Sequence, residues 1–533
     1  MTEALFLLLL LCSGIILVCV FASQFSRWFG IPTLLIFMAL GMLFGSDGIF
    51  KISFSSYQDA ERICSVALIF IMFYGGFGTK WDVAKPAAVR AGLLSTVGVV
   101  VTAALTGGFC HFVLGFQMAE SFLVGAVVSS TDAASVFSIL RTQKLSLKDG
   151  TASLLELESG SNDPMSYMLT MAGLTLLGQG EVGGLGVMFF AQMACGIGIG
   201  VASALVSVWL LRRIPILQEG LDAIFIVAMV LLAYALPSLI GGNGYLSVYL
   251  MGIILGNSRI DRKKTLVHFF DGITGLAQIV IFFLLGLLSF PHRLPQVAGM
   301  AVSITLFLSL AARPAAVFLI LLPFRVSIRQ CLLVSWAGLR GAASIVFSIM
   351  VMASGVALPY DLFHIVFCIA LFSVALQGTL LPRVARKLDM VDEKADVSRT
   401  FTDYQEEAAL TLMRLSVPGG HNWENKRISE IHLPTGSLAL MIKRGEETIV
   451  PKGNTKILKG DTLILSVPAY QPQENEKLEE IRITKKHSWC GQAIEELKLP
   501  EHVLIALIQR GEENIIPRGK TRIEENDTVV LYR

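Results

Sequence analysis

The sequence predicts a polytopic α-helical membrane protein of about thirteen spans, followed by a small duplicated α+β tail. Three observations carry this. Only 16% of the 533 residues are charged, 54% are hydrophobic and the mean hydropathy is +0.66. A soluble chain carries roughly 25% charged residues. Apolar stretches recur up to residue 388 and then stop at LDMVDEKAD (388–396). Beyond that point Trp423–Leu465 is repeated as Trp489–Leu531, at a constant offset of 66 and with no gap. The composition excludes disorder, collagen, a coiled coil and an ordinary cytosolic enzyme, and a net charge of +2 provides no basic face for nucleic acid.

A spanning helix needs about 20 predominantly apolar residues. Such stretches lie at 4–22, 30–46, 64–79, 87–115, 119–140, 151–178, 185–211, 221–240, 244–257, 268–290, 297–322, 330–354 and 361–382. The eighth and ninth are divided by the turn Gly241-Gly242-Asn243-Gly244. The first stretch reads as a span rather than a signal peptide, since Glu3 stands at its start without Lys or Arg. Seven of the eight cysteines fall in apolar stretches and read as small hydrophobes; Cys490 alone lies in polar sequence, and no CxxC pair is present.

Loop charge tests the count. With thirteen spans and the N-terminus outside, one set of loops carries Arg27, Lys80, Lys85, Arg90, Arg141, Lys144, Lys148, Arg212, Arg213, Arg259, Arg262, Lys263, Lys264, Arg325, Arg329, Arg383, Arg386 and Lys387. The other set carries Lys51, Arg62 and Arg293. An error of one span would mix the two. The bias places the C-terminus in the cytoplasm.

Few ionisable residues lie deep in the spans: Asp132, Glu156, Glu158, Asp163, Arg313 and Arg340. Each needs a partner, a wet cavity or a proton. The densest cluster is Leu157–Pro164, LESGSNDP, where Ser159 and Asp163 share a helical face, as do Glu158 and Asn162. Pro164 frees the carbonyl of Gly160, so carboxylate, hydroxyl, amide and carbonyl oxygens gather as hard ligands for Na⁺ or K⁺. The alternative reading makes Asp163 and Pro164 a helix start. A second cluster, Ser129–Ser135 (SSTDAAS), suits a broken helix lining a cavity, and a third, Gly338–Ser344 (GLRGAAS), allows an unwound turn at Arg340. Ala133–Leu140 (AASVFSIL) and Ala342–Met350 (AASIVFSIM) resemble each other and lie in oppositely directed spans, the pattern of two inverted halves. Arg313 either supports helix ends in the core or snorkels to an interface.

At these residues the chain resembles the cation:proton antiporter superfamily, specifically the NhaP-type sodium or potassium/proton antiporters, over residues 1–388. ESGSNDP is the most specific element, followed by Thr131-Asp132 and the GLRG segment. The resemblance implies a homodimer of thirteen-helix protomers, with two broken helices crossing in a six-helix core. It implies that Asp163 binds proton and cation in turn, with Asn162 beside it as the mark of the electroneutral branch. Asp132 and Thr131 would lie at the crossing, Ser159 would add an oxygen, and K⁺ or Na⁺ would sit at Asp163 and Asp132. Glu158 would form a structural ion pair with Arg340. One departure stands out: the segment where many relatives carry an acidic residue reads Phe73-Tyr74-Gly75-Gly76.

In the tail, 19 of 43 positions of the repeat are identical. Each copy (411–470 and 477–533, after a linker at 389–410) shows a short amphipathic segment, Ile428–Leu433 or Ile494–Leu499, and alternating strands ending in a Gly-Asp-Thr or Asn-Asp-Thr turn signal. The copies resemble the C-terminal lobe of RCK (TrkA-C) domains, which implies regulation by a cyclic dinucleotide such as c-di-AMP or another nucleotide; the plainer reading is dimerisation alone. No GxGxxG follows a strand, so a nucleotide-binding N-terminal lobe is not expected, nor is a resident cofactor.

The expected function is therefore an electroneutral K⁺ (or Na⁺)/H⁺ antiporter of the bacterial cytoplasmic membrane, regulated by its tail. A ligand-gated cation channel is the alternative, disfavoured because no TVGYG-type filter is present. An enzyme is not expected, because no Ser–His, metal or paired-Asp constellation is legible.

Overall fold

The computed structural model describes residues 2–392 except 30–31, 144, 180–183, 214–219, 259 and 261–262, and most residues between 410 and 532. The chain forms two compact units, Met1–Tyr404 and Gln405–Arg533, each described by itself.

The first unit is all-helical. Its helices are α1 (Thr2–Phe29), α2 (Thr33–Phe44), α3 (Tyr57–Gly78), α4 (Trp81–Phe112), α5 (Met118–Val127), α6 (Ala133–Thr142), α7 (Thr151–Leu174) and α8 (Leu185–Arg213). They continue as α9 (Leu221–Leu239), α10 (Gly244–Gly256), α11 (Lys263–Leu288), α12 (Pro291–Phe324), α13 (Ile328–Trp336), α14 (Ala342–Ala353) and α15 (Leu362–Lys387). Among the described residues seven helices are long and apolar enough to cross a membrane: α3, α4, α8, α9, α12, α15 and the Thr265–Leu288 part of α11. Leu9–Gln24 of α1, together with α2, α5, α10 and α14, forms shorter apolar helices.

The stretches expected at 119–140 and 330–354 are each two half-helices, α5/α6 and α13/α14. Their breaks fall at 128–132 and 337–341, where runs of Ser, Thr and Gly favour non-helical backbone. The two breaks cross: the Asp132 amide donates to the Leu339 carbonyl at 2.8 Å.

The helices sort into two groups. In one, α3 packs on α10 and α11, α2 on α11, and α8 and α9 on α10. In the other, α4 packs on α5, α5 on α7, and α12 and α14 on α15, with α14 also packed on α3 of the first group. Glycine allows the closest approaches in the first group. A Cβ on Gly76 would strike the Tyr249 carbonyl and one on Gly252 the Phe73 carbonyl, so the Phe73–Gly76 segment serves helix contact here. Cys19, Cys64, Cys110, Cys331 and Cys368 are buried as expected, whereas Cys12 is exposed and Cys195 half-buried.

Loop contacts join loops of the same charge set. Asn257 accepts from the Trp81 amide at 2.8 Å and donates to the Thr79 carbonyl at 2.8 Å. In the sparsely charged set, Asp47 meets His292 at 2.5 Å and Asp361 meets Arg293 at 3.6 Å. The linker expected at 389–410 begins inside the first unit. Asp389–Asp392 pack back against the rest of that unit, because the end of α15 turns through a left-handed Asp389 (φ 55°) and buries Met390. Residues 393–409 of that linker lie outside the described residues.

The tail unit contains two antiparallel sheets of identical topology. One is ordered β1-β4-β2-β3, from β1 (Leu410–Ser416), β2 (Leu438–Arg444), β3 (Glu447–Ile449) and β4 (Thr462–Pro468). The other is ordered β5-β8-β6-β7, from β5 (Leu478–Arg482), β6 (Leu504–Arg510), β7 (Glu513–Ile515) and β8 (Thr528–Tyr532). The 66-residue offset holds in three dimensions. Asn425 and Gly491 share a positive φ at equivalent turns, as do Gly460 and Asn526. The expected amphipathic segments are single 3₁₀ turns, Ile428–Glu430 and Ile494–Glu496, so no α-helix occurs among the described tail residues. Six residues ahead of Pro434 or Pro500 are too few to offset helix nucleation.

One ion pair recurs in each copy. Arg444 donates from Nε and Nη2 to the fully buried Asp461 at 2.8 Å, and Arg510 does the same to Asp527 at 2.9 Å. The Arg444 hydrogen bonds hold the Asp461 carboxyl below its usual range against the opposing effect of burial. At Asp527 burial pushes upward and is outweighed by Arg510 and the Glu524 amide. With folded pKa values depressed, this stabilisation is complete above the ordinary carboxylate value of about 4 and is lost as pH falls through the folded value. Hydrogen exchange of the full-length protein should show both sheets protected near neutral pH and loosening only below about pH 4. At neutral pH, Asp461→Asn should weaken the first sheet by roughly 1–2 kcal/mol, given the partly exposed arginine, and spare the second. Equal protection of the two sheets in that variant would show that the pair does not matter.

Candidate cation and proton site

The site forms where α7 passes the crossing of the two broken helices. Ser159 Oγ donates to the Thr131 carbonyl and accepts from the Ala133 amide, both at 2.8 Å. One turn on, Asn162 Oδ1 accepts from the Thr131 amide at 3.3 Å and Nδ2 donates to Thr131 Oγ1 at 2.5 Å. These bonds tie the unwound break and the first residue of α6 to α7 at two successive levels. They satisfy backbone groups that a broken helix leaves open in an apolar surrounding.

Asp163 lies next to this stitching and is 6% exposed. Its Oδ1 accepts a short hydrogen bond from the Ser130 hydroxyl. Among the described residues no cationic side chain forms an ion pair with it. A charged carboxylate there is held by one hydroxyl, which does not offset the cost of its burial. Pro164 follows within the unbroken α7, so it is not a helix start. The Pro164 carbonyl accepts from the fully buried Asn243 at 2.9 Å, while Asn243 Oδ1 caps α10 through the Leu246 amide at 3.0 Å. The site's helix is thereby attached to the other helix group next to Asp163.

Asp132 is used differently. Its carboxylate accepts from the Ser135 amide at 3.2 Å and the Ser135 hydroxyl at 2.5 Å, capping α6. A Cβ on Gly341 would collide with this carboxylate, so the second broken helix crosses directly over it. Asp132 therefore faces the positive ends of half-helices.

Arg340 supplies the opposite charge. Its Nη1 donates to the Ser129 carbonyl at 2.8 Å and the Ser130 carbonyl at 2.6 Å, at the carboxyl end of α5, and its own amide donates to Ser373 Oγ at 3.1 Å.

The expected Glu158–Arg340 pair is not formed. Glu158 is paired with Arg313 of α12, at 2.5 Å from Nη1 and 2.8 Å from Nη2, and both side chains are buried. The physical reason is competition for Arg340. The unwound break leaves two carbonyls within its reach, while Arg313 projects from a neighbouring helix onto α7. A Cβ on Gly338 would strike Arg313, so that glycine makes room for it. Of the two readings of Arg313, support in the core is the one realised.

The structure thus gathers Asp163, Asn162, Thr131 and Ser159, with Asp132 alongside as a cap. Sequence reasoning did not single out Ser130 or Asn243. Ser130 stands one residue before Thr131-Asp132 in the cluster already marked, whereas Asn243 looked like turn material. At the Phe73–Gly76 segment, Tyr74 is buried and adds no carboxylate.

Comparison with known proteins bears on the family and the fold. The profile of the family "Sodium/hydrogen exchanger, transmembrane" matches residues 14–387, and that of the TrkA-C domain matches residues 412–469 and 478–532. The chain is 34% identical over 476 residues to the K(+)/H(+) antiporter NhaP of Alkalimonas amylolytica, covering 88% of this chain and 83% of that protein. It is 34% identical over 460 residues to the K(+)/H(+) antiporter NhaP2 of Shewanella sp. (strain MR-4), covering 84% and 78%. Its fold is similar to the solved structure of the sodium proton antiporter MjNhaP1 from Methanocaldococcus jannaschii at pH 8. The TM-score is 0.63 at 23% identity, over 72% of this chain and 99% of that one.

Proposed function

The chain belongs to the sodium/hydrogen exchanger family, and on that premise we propose that it exchanges K⁺ for H⁺ electroneutrally at Asp163. It is a multi-pass membrane cation/proton antiporter with a TrkA-C tail. One observation carries the site assignment: of the two buried carboxylates on α7 at the crossing, Glu158 has a guanidinium partner and Asp163 has a hydroxyl. Burial disfavours the charged form of Asp163 and a bound cation favours it, so proton and cation exclude each other. Ser130, Thr131 and Ser159 would offer further oxygens to the ion, and Asp132 would remain a cap near it. Movement of the α4–α7/α12–α15 group against the α1–α3/α8–α11 group would then expose the site alternately to each side.

The finer topology belongs to the same reading: thirteen spans with inverted halves, N-terminus outside and C-terminus in the cytoplasm of a bacterial inner membrane. A homodimer is proposed on the family premise, and the apolar side chains exposed on α1 and α8, among them Phe21, Phe190 and Trp209, suit lipid or a second copy. The tail is proposed as a regulator, with a cyclic dinucleotide as the ligand to try first. Potassium is favoured because the two relatives above are named for it.

In everted vesicles carrying an imposed proton gradient, K⁺ should release protons at lower concentration than Na⁺ or Li⁺. A response to Na⁺ alone would overturn the potassium assignment, and no response to any of the three would overturn exchange.

A further inference from the structure

The α6–α7 loop is held by the chain that leaves the membrane unit. Leu147 and Val391 pair as an antiparallel bridge, with the Lys148 amide donating to the Met390 carbonyl and the Asp392 amide to the Ser146 carbonyl, each at 2.9 Å. Lys148 Nζ reaches Asp389 Oδ1 at 2.8 Å and its carbonyl at 3.0 Å. Arg329, at the start of α13, meets Asp389 Oδ2 at 3.3 Å. Its neighbour Gln330 donates to the Asp149 carbonyl at 3.2 Å and to Thr151 Oγ1 at 3.0 Å. Beneath this, Leu145, Leu147, Met390 and Leu381 share one apolar cluster.

The helices this loop joins both border the site. α6 is capped by Asp132, and α7 carries Ser159, Asn162 and Asp163. The first residues on the way to the tail are therefore bonded to the loop between them. The joint is small and breakable, with two backbone bonds and an ion pair largely open to solvent.

We propose that Leu388–Asp392 is the coupling element of the protein, a clip through which the tail sets the position of α6 against α7 and hence the rate of exchange. Lys148 and Asp389 are positioning residues in this scheme and touch no transported ion. The inference rests on the reading that the tail regulates transport. A pull on Asp392 strips its amide from Ser146 and frees the loop; a relaxed tail leaves the bridge closed. The tail needs no direct contact with the site.

A double-mutant cycle in the full-length protein tests this. Asp461→Asn with Asp527→Asn unsettles both tail sheets and is expected to change the K⁺-driven proton-release rate at least twofold. Lys148→Asp opens the clip by setting two carboxylates face to face, and hydrogen exchange across residues 143–150 should then speed up. In that background the tail substitutions should no longer change the rate. Lys148→Asp with Asp389→Lys restores the ion pair, with Arg329 free to turn into solvent, and should restore both slow exchange and the tail's influence. This recovery also answers the objection that Lys148→Asp simply misfolds. If the tail substitutions leave the wild-type background unchanged, tail regulation fails and the coupling role fails with it. If they act equally with the clip open and closed, the clip alone is refuted.

Discussion

Asp163→Asn should reduce cation-driven proton release to the background of empty vesicles while leaving the protein folded. Asparagine has the shape of the carboxyl group and can still accept from Ser130, so the packing around the crossing is kept. It cannot take up a proton or balance a cation. Without a group whose charge alternates, neither half of the exchange has a carrier. A charge deep in a bilayer costs at least a few kcal/mol, and no guanidinium offsets it here. The melting temperature in detergent should accordingly be unchanged or higher, since the variant removes a buried group that lacks a charged partner. Transport lost with stability retained is the expected combination. Full exchange in Asp163→Asn would remove this residue from the mechanism, and loss of both transport and folding would make its role structural.

Glu158→Gln should have the opposite profile. It leaves Arg313, 3% exposed, without a counter-charge, and breaking one side of a buried pair costs about 3–5 kcal/mol. Arg313→Gln should cost a similar amount by stranding Glu158. The double variant should recover part of the loss, because no buried charge of the pair remains uncompensated. The corresponding cycle between Glu158 and Arg340 should show a smaller coupling, since Arg340 is bonded to the carbonyls of Ser129 and Ser130. Thermal unfolding of purified protein across both cycles measures this. A larger coupling to Arg340 than to Arg313 would reverse the assignment.

Much of the fold was legible in the sequence, for identifiable reasons. The bilayer penalises charge, so the few ionisable residues within spans stood out and the loop charges separated into two sets. The contacts Lys148–Asp389 and Asp47–His292 join loops within those sets. Small and hydroxyl residues disfavour continuous helix, so the breaks before Ala133 and Ala342 were visible. The tail repeat was visible through its identities, and its Arg444–Asp461 and Arg510–Asp527 pairs fall at equivalent places.

Pairing was not legible. Arg313 and Arg340 are both single arginines in apolar spans, and nothing local says which faces α7. That choice depends on the crossing, which hands Arg340 two open carbonyls and leaves Glu158 to Arg313. Asn243 looked like part of a turn because its partner, Pro164, is 79 residues away. The short tail segments carried a helical pattern, but their length decided the outcome.

The sequence by itself determined which residues can carry charge in the membrane, where helices break and that the tail is a duplication. These follow from burial cost and local backbone preference, which act on each residue singly or with near neighbours. Only the tertiary structure decided which buried charge is neutralised, which carboxylate is left with a hydroxyl alone, and that the chain leaving α15 closes on the α6–α7 loop. Those are distance-dependent interactions between segments far apart in the chain, and their partners are fixed only when the helices pack.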